Sequence, residues 1–518
     1  MGPASVTLPC LLRAPPFHAR SVSLSEPAPA SQAIGEDVLM QIRQARVGGA
    51  FWAEPATPAF PASTIERRSA TALVDPWSAL EGAGSLVAHG DDEWVAIARI
   101  CGVPVEVLSA GRFGAPGDSA PTLDAKAADA LACVRYTDPF TGEPAAITQI
   151  ITILAEWRRL IEANRAIAVA SGMAWWKRDE IRRFLWVPGR KLPIVQRASH
   201  ALKVARKAGG AVAIWPSRVS PALLEAAAAQ GTALVRVEDG FVRSVGLGSN
   251  LVPPSSVVVD RRGIHFDPSS PSDLEHILAT TDFTPALVER AQALRETIVA
   301  AGISKYAAGA GAGAAAPIPP RPSGRRVVLV PAQVEDDMSV IAGGGGLRSN
   351  LELLRRVRAL EPHAEIWFRP HPDVDAGHRK GAVPDEDVLE VADRIVRGGN
   401  MAPLLDVVDA VHVLTSLTGF EALMRGREVT CHGTPFYAGW GLTRDQGGVP
   451  DRRGRALTID QLVAGVLILY PRYLDPVSGL PCPPEVLIGR MAQARAPNRL
   501  GWVAPLRHWQ GRFMAMLR

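Results

Sequence analysis

Two runs of strand–helix alternation flank a segment that suits neither strand nor helix, and this restricts the chain to a pair of separate α/β layers. The segment is Ala307 to Arg325, AAGAGAGAAAPIPPRPSGR, made of small residues, glycines and prolines with no periodic apolar face. Upstream, apolar runs from Ala211 to Trp215 and Ala233 to Val237 read as strands around a helix from Pro221 to Gln230, with a further strand from Val257 to Asp260. Downstream, strands are expected at Val327 to Pro331, Glu365 to Arg369, Ala410 to Leu414 and Val429 to Cys431, alternating with helices over 349–360 and 418–425. Alternation of this kind builds parallel sheets, so the expected fold is α/β with two facing Rossmann-like domains. The cleft between them is the default site.

At 518 residues the chain has room for about three domains. A formal net charge of +4 is slight for that length and argues against a dedicated nucleic-acid binder. Cys10, Cys101, Cys133, Cys431 and Cys482 are scattered, without a C-x-x-C pair, which points to a reducing compartment and no structural zinc. No run of 18 apolar residues occurs, and Pro9, Pro15 and Pro16 interrupt any secretory apolar core. A cytoplasmic location is expected. After Pro505, Leu506, Trp509, Phe513, Met516 and Leu517 recur at helical spacing beside Arg507, Arg512 and Arg518. That pattern has two readings, a helix lying on an anionic inner leaflet or one docked on the protein itself.

An internal repeat is visible. Arg135-Tyr136-Thr137-Asp138-Pro139-Phe140-Thr141-Gly142 matches Arg472-Tyr473-Leu474-Asp475-Pro476-Val477-Ser478-Gly479, each after an apolar helix. Residues 87 to 114 echo, more weakly, the region from Gly426 to Gly439. The expected division is a truncated, degenerate first module over 1–150, one Rossmann-like half over 151–305, the linker 306–325, a second half over 326–485, and a basic tail over 486–518.

The chemistry concentrates in the second half. Thr415, Ser416 and Thr418 supply hydroxyls where the apolar run ends and a helical pattern of Phe420, Leu423 and Met424 begins. Free backbone N–H groups and the positive end of a helix dipole favour a phosphate there, with Gly419 in the same turn. Glu421, one turn in, is placed to accept a ribose hydroxyl pair. His371, held between Pro370 and Pro372 after the strand ending at Arg369, also faces the cleft, as do Gln333, Glu335 and Asp336 after Pro331. Asp373-Val374-Asp375 formally matches a metal-binding DxD, but no metal and no cofactor are expected. Gly343 to Gly346 reads as a mobile loop able to act as a lid.

Five segments, in order over some 300 residues, carry a resemblance. They are Trp175-Trp176-Lys177-Arg178, the stretch from Val237 to Gly248 (VEDGFVRSVGLG), Pro331 to Asp337 (PAQVEDD), Arg369-Pro370-His371-Pro372-Asp373, and Pro435 to Gly441 (PFYAGWG). With them the chain from about 150 to 485 resembles the capsule polysaccharide biosynthesis (KpsC/LipB) family of β-Kdo glycosyltransferases. The resemblance implies a GT-B-like fold with one intact module, similar to the second of the family's two tandem modules. It implies retaining transfer of Kdo from CMP-Kdo to a phospholipid-linked acceptor glycan, building the linker on which capsule chains are exported. Capsule assembly and export proteins are the implied partners, and the implied place is the inner face of the inner membrane. A non-catalytic assembly or export partner, or a transferase for another CMP-activated ulosonic acid, are the alternatives.

Under that resemblance Asp239 is the candidate nucleophile, since it ends a strand and precedes Gly240, which permits close backbone approach. Glu238 is the second choice. Retention calls for a carboxylate that forms a covalent glycosyl-enzyme. Arg243 and Ser244 are placed to hold the sugar carboxylate or the phosphate. His371 is the implied phosphate ligand, with Arg369 beside it, and the acid/base is to be sought among His265, Glu335 and Asp336.

Overall fold

The computed structural model describes residues 10–17, 22–29, 33–57, 61–68, 73–245, 252–304, 306–307, 318–321, 324–375, 377 and 379–493, with the backbone alone at 244–245 and 306–307. The predicted tail helix after Pro505 lies outside them. The chain divides into two compact units, one made of residues up to Ala166 together with Leu185–Leu192, the other of Ile167–Phe184 and everything from Pro193 onward. The first therefore extends past the expected boundary at 150, because helix Ile147–Arg165 buries Ile150, Leu154, Trp157 and Ile161 within it.

In the first unit the strands that matter here are β1 (Ser25–Pro27), β2 (Thr64–Arg67), β3 (Ser85–Ala88), β4 (Val105–Val107) and β5 (Val134–Tyr136). β2, β3 and β4 form a parallel sheet, and β1 pairs antiparallel with β5. Helix α1 (Trp94–Cys101) connects β3 to β4 and buries six of its residues. Phe17 packs between Trp157 and Trp186, with ring centroids at 4.9 and 4.6 Å. Arg158 is buried against Asp75 at 2.7 Å.

The strands of the second unit that matter here are β6 (Ile167–Ser171), β7 (Ile194–Val195), β8 (Ala211–Ile214), β9 (Leu234–Asp239), β10 (Ser256–Asp260), β11 (Val327–Pro331), β12 (Glu365–Arg369), β13 (Arg394–Ile395), β14 (Ala410–Val413), β15 (Glu428–Cys431), β16 (Arg444–Asp445), β17 (Pro471–Leu474) and β18 (Pro481–Cys482). They make two sheets. One runs β18-β17-β10-β9-β8-β6-β7, parallel from β9 to β7 and antiparallel beyond. The other runs β13-β12-β11-β14-β15-β16 and is parallel throughout. Its central strand, Val-Val-Leu-Val-Pro, is buried along its whole length, as a parallel strand covered on both faces must be. Val328, Val330, Ile366 and Phe368 pack there against Leu353, Leu354 and Val357 of helix α3 (Asn350–Leu360). In the first sheet Val169, Val212 and Ile214 pack against Ala201, Leu202 and Ala205 of helix α2 (Ala198–Ala208).

The expected boundary at 485 differs from the connectivity found. β17 and β18 belong to the first sheet, so the second sheet is complete at Asp445 and the chain then crosses back. The crossing is fixed by ions: Glu275 accepts from Arg453 at 2.6 Å and Arg452 at 2.8 Å, and Arg295 meets Asp460 at 2.6 Å.

The repeat is present in the backbone and reaches further than the sequence suggested. β1 meets β5 with Ser25 opposite Tyr136, and β10 meets β17 with Ser256 opposite Tyr473. Ser25 Oγ donates to the Leu12 carbonyl, as Ser256 Oγ does to that of Val242. Asp138 accepts from the amides of Phe140 and Thr141, as Asp475 does from those of Val477 and Ser478. Leu12 and the strand Ser25–Pro27 are thus the first-unit counterparts of Val242 and the strand Ser256–Asp260 in the second.

Candidate active site

β9 carries Glu238 and Asp239 to its carboxyl end, next to the turn that contains Phe241 and Arg243. Gly240 is required there, since a Cβ on it would lie 2.2 Å from Ser256 Oγ. Asp239 is held by two cations. Lys177 Nζ donates to both its oxygens at 2.9 and 3.0 Å, and Arg243 Nε donates to Oδ2 at 2.9 Å. Lys177 is itself buried, with Nζ 3.6 Å from the Trp215 ring centroid and 5.0 Å from that of Trp176. Arg243 is buried too, and its Nη2 donates to the Val252 carbonyl at 2.8 Å.

Burial pushes the Asp239 carboxyl up, but the adjacent Lys177 and Arg243 outweigh it and hold the group down at about 2. Burial lowers Lys177, against the pull of Asp239 and Glu238. The result is an anionic, oriented carboxylate with 20 % of its side chain still exposed. Glu238 turns back instead, its Oε1 accepting from the Asp239 amide at 3.0 Å.

Phe241 leads to the second sheet. Its ring centroid lies 4.5 Å from that of Phe436, which follows β15, and 4.8 Å from that of His265. His265 stands in an aromatic surround completed by Phe436 and Tyr470, at 5.8 and 6.0 Å. Tyr437, next to Phe436, donates its hydroxyl to the Ser416 carbonyl at the start of helix α4 (Leu417–Met424). Gly419 lies beneath that hydroxyl, 2.2 Å from where a Cβ would stand. Arg453 fastens the loop, donating to the carbonyls of Pro435 and Ala438.

Ser416 caps α4, accepting from the Thr418 amide at 3.2 Å. Gln333 clamps Thr415 in both directions: Thr415 N donates to Oε1 at 2.8 Å, and Nε2 donates to Thr415 Oγ1 at 3.0 Å. His371 Nδ1 accepts from the Asp373 amide at 3.2 Å, which puts the ring proton on Nε2 and makes that nitrogen a donor.

Several predicted ligands have other partners. The Arg369 guanidinium donates to the carbonyls of Gly398 and Gly399, and so shapes a loop. Glu335 accepts from the Asn350 amide at 2.9 Å at the start of α3. Glu421 is buried in α4. Gly343 ends a helix, and its carbonyl accepts from Thr434 N at 2.7 Å, so the glycine run is pinned at its first residue rather than forming a detached lid. Asp375 is paired with Arg397. The side chain of Ser244 lies outside the described residues. Lys177 is the group that sequence reasoning missed, although its motif was in view.

The first unit has a helix at the corresponding place, but with carboxylates for hydroxyls. At the start of α1, Asp92 accepts from the Trp94 amide at 3.0 Å and pairs with Arg67 at 2.7 Å, while Asp91 accepts from the Arg112 amide at 2.8 Å. A helix start already furnished with its own anions disfavours a phosphate.

Two α/β lobes joined at the loops following their strand ends, with a C-terminal segment returning to the first sheet, define a GT-B-like fold. Residues 210–473 match the family described as capsule polysaccharide biosynthesis protein. The chain belongs to this family. It is 40 % identical over 342 residues to the capsule polysaccharide modification protein LipA of Neisseria meningitidis, covering 66 % of this chain and 48 % of that one. It is also 40 % identical over 316 residues to the lipopolysaccharide-processing protein LpsZ of Rhizobium meliloti, covering 60 % and 70 %. The chain thus spans about half the length of LipA. Among solved structures, KpsC of Thermosulfurimonas dismutans matches as a β-Kdo 2,7 transferase, with 32 % identity and a TM-score of 0.52, and as a β-Kdo 2,4 transferase, with 31 % and 0.54. Each match covers 63 % of this chain and 98 % of the other.

Proposed function

We propose that the second unit is a retaining β-Kdo transferase that takes Kdo from CMP-Kdo and adds it to a lipid-linked acceptor glycan in capsule biosynthesis. The observation that carries this reading is the Asp239 carboxylate, anionic and fixed between Lys177 and Arg243 at the end of β9. One Asp239 oxygen attacks the anomeric carbon while the bond from that carbon to the CMP phosphate oxygen breaks, its electron pair leaving with CMP. The acceptor hydroxyl then displaces Asp239 from the opposite face, restoring the original configuration, and its proton passes to a base for which His265 is the candidate. The His371 Nε2 proton and the α4 start, with Ser416, stabilise the departing phosphate.

Purified protein incubated with CMP-Kdo and a synthetic Kdo-primed lipid should give a product heavier by one Kdo. A slowed variant should carry the Kdo adduct on a peptide containing Asp239. No product, or an adduct elsewhere, would remove the reading. The two structural relatives differ in linkage, so the position of the new bond is to be read from that product.

His371→Ala and Ser416→Ala should weaken CMP binding by ~10-fold each, the worth of a hydrogen bond to a charged group. Calorimetry with CMP measures this, and unchanged affinities in both would place the nucleotide somewhere else.

A further inference from the structure

From Ile181 to Leu224 the chain has nine Lys or Arg residues and no Asp or Glu, so with a total of +4 the remainder is net acidic. The centre of this stretch is α2. Its Ala201, Leu202 and Ala205 face the core, and His200, Lys203 and Lys207 occupy the opposite side, flanked by Arg197 and Arg206, all five exposed. Spacings of three and four residues bring like charges together there, an arrangement that costs the helix stability. Helix electrostatics account for Arg206 and Lys207 in the last turn but not for Arg197, which stands at the N-cap, where a cation is unfavourable.

None of Arg197, Lys203, Arg206, Lys207 or Arg218 has a side-chain ion pair or hydrogen bond among the described residues. Other exposed arginines do find carboxylates, as Arg290 does with Glu485 and Arg397 with Asp385. The row therefore lacks its counter-charge.

We propose that this face of α2 docks the protein on an anionic lipid bilayer. The cations form a continuous strip without an aromatic residue between them, which suits a diffuse sheet of phosphates rather than the stacked bases of a single-stranded nucleic acid. The helix packs on β6, whose chain continues into Trp175, 62 % exposed, and Lys177, which holds Asp239. Tryptophan is a favoured residue at membrane interfaces. The proposal rests on the transfer reading in one respect, that a lipid-linked acceptor brings the site to a bilayer.

The full-length chain should sediment with phosphatidylcholine vesicles that contain phosphatidylglycerol, less so as salt rises, and not with phosphatidylcholine alone. Each cation near an anionic surface contributes about fivefold, so the combined Arg197→Gln, Lys203→Gln, Arg206→Gln and Lys207→Gln variant should lose more than about 100-fold in partitioning. Lys203→Arg with Lys207→Arg should bind as the parent does. Transfer to a water-soluble acceptor should be equal in all three. Undiminished vesicle binding by the glutamine variant, equal binding of the parent to uncharged vesicles, or tighter binding to an oligonucleotide than to phosphatidylglycerol vesicles would overturn the proposal. Absence of transfer in every protein, with the vesicle pattern intact, would instead count against the transferase reading alone.

Discussion

Asp239→Asn is expected to lower the turnover number by at least ~10⁴-fold while leaving CMP affinity unchanged, because in the proposed mechanism the carboxylate acts only on the anomeric carbon. Single-turnover assays with CMP-Kdo, beside calorimetry with CMP, separate these two quantities. The amide keeps the shape and one acceptor oxygen beside Lys177 and Arg243. Both variants remove the counter-charge of two buried cations, a loss on the order of 3–5 kcal/mol, and Asp239→Ala is the poorer probe because it removes every acceptor oxygen as well. Turnover within tenfold of the parent in the asparagine variant would exclude Asp239 as nucleophile.

Acid should destabilise the second lobe well before its carboxylates titrate. His412 Nδ1 and His432 Nε2 lie 3.1 Å apart in a buried pair on neighbouring strands, with Glu361 3.6 Å from His412 Nε2. Burial, then the neighbouring His432 and the charges of Arg326 and Arg444, push His412 down to about 3, and burial with Arg356 pushes His432 down to about 4. Both are neutral when folded, whereas the unfolded chain takes up a proton at each as pH falls below about 6.5. Stability is thus complete above that value and is lost as pH falls toward 4, at about 1.4 kcal/mol per unit for each histidine. Urea midpoints at pH 7 and pH 5 measure the loss, and His412→Asn should remove about half of its pH dependence. An unchanged midpoint at pH 5 would show that the pair does not govern the acid limb.

Much of the second lobe was legible because its strands are uninterrupted apolar runs between turn residues. β11 and β12 lie where Val327 to Pro331 and Glu365 to Arg369 predicted them, and α4 starts one residue before its expected place. The return of β17 and β18 to the first sheet was not legible, since a strand's pattern states which faces are buried and not which neighbour it pairs with. Nor was the match of Leu12 and Ser25–Pro27 with Val242 and Ser256–Asp260, because it is carried by backbone register and one serine contact rather than by the pattern of apolar residues. At the site, the sequence pointed to Asp239 and Arg243, which meet. It assigned Arg369 and Glu335 to substrate from their position at strand exits, where a side chain is as free to cap a neighbouring helix or loop. Lys177 lay beyond periodicity altogether, since its partner is 62 positions away.

The crossing back to the first sheet also sets a schedule for synthesis. β10 leaves the ribosome with one of its hydrogen-bonding edges unsatisfied, and its partner β17 follows only after the whole second lobe has been made. At about 5–20 residues per second that edge waits for ten seconds or more in a nascent chain, open to pairing with any other extended segment. The second lobe, contiguous from β11 to β16, can fold during this interval. The first lobe cannot complete its sheet until the last strands arrive, so it is the lobe whose open edge lasts longest during synthesis.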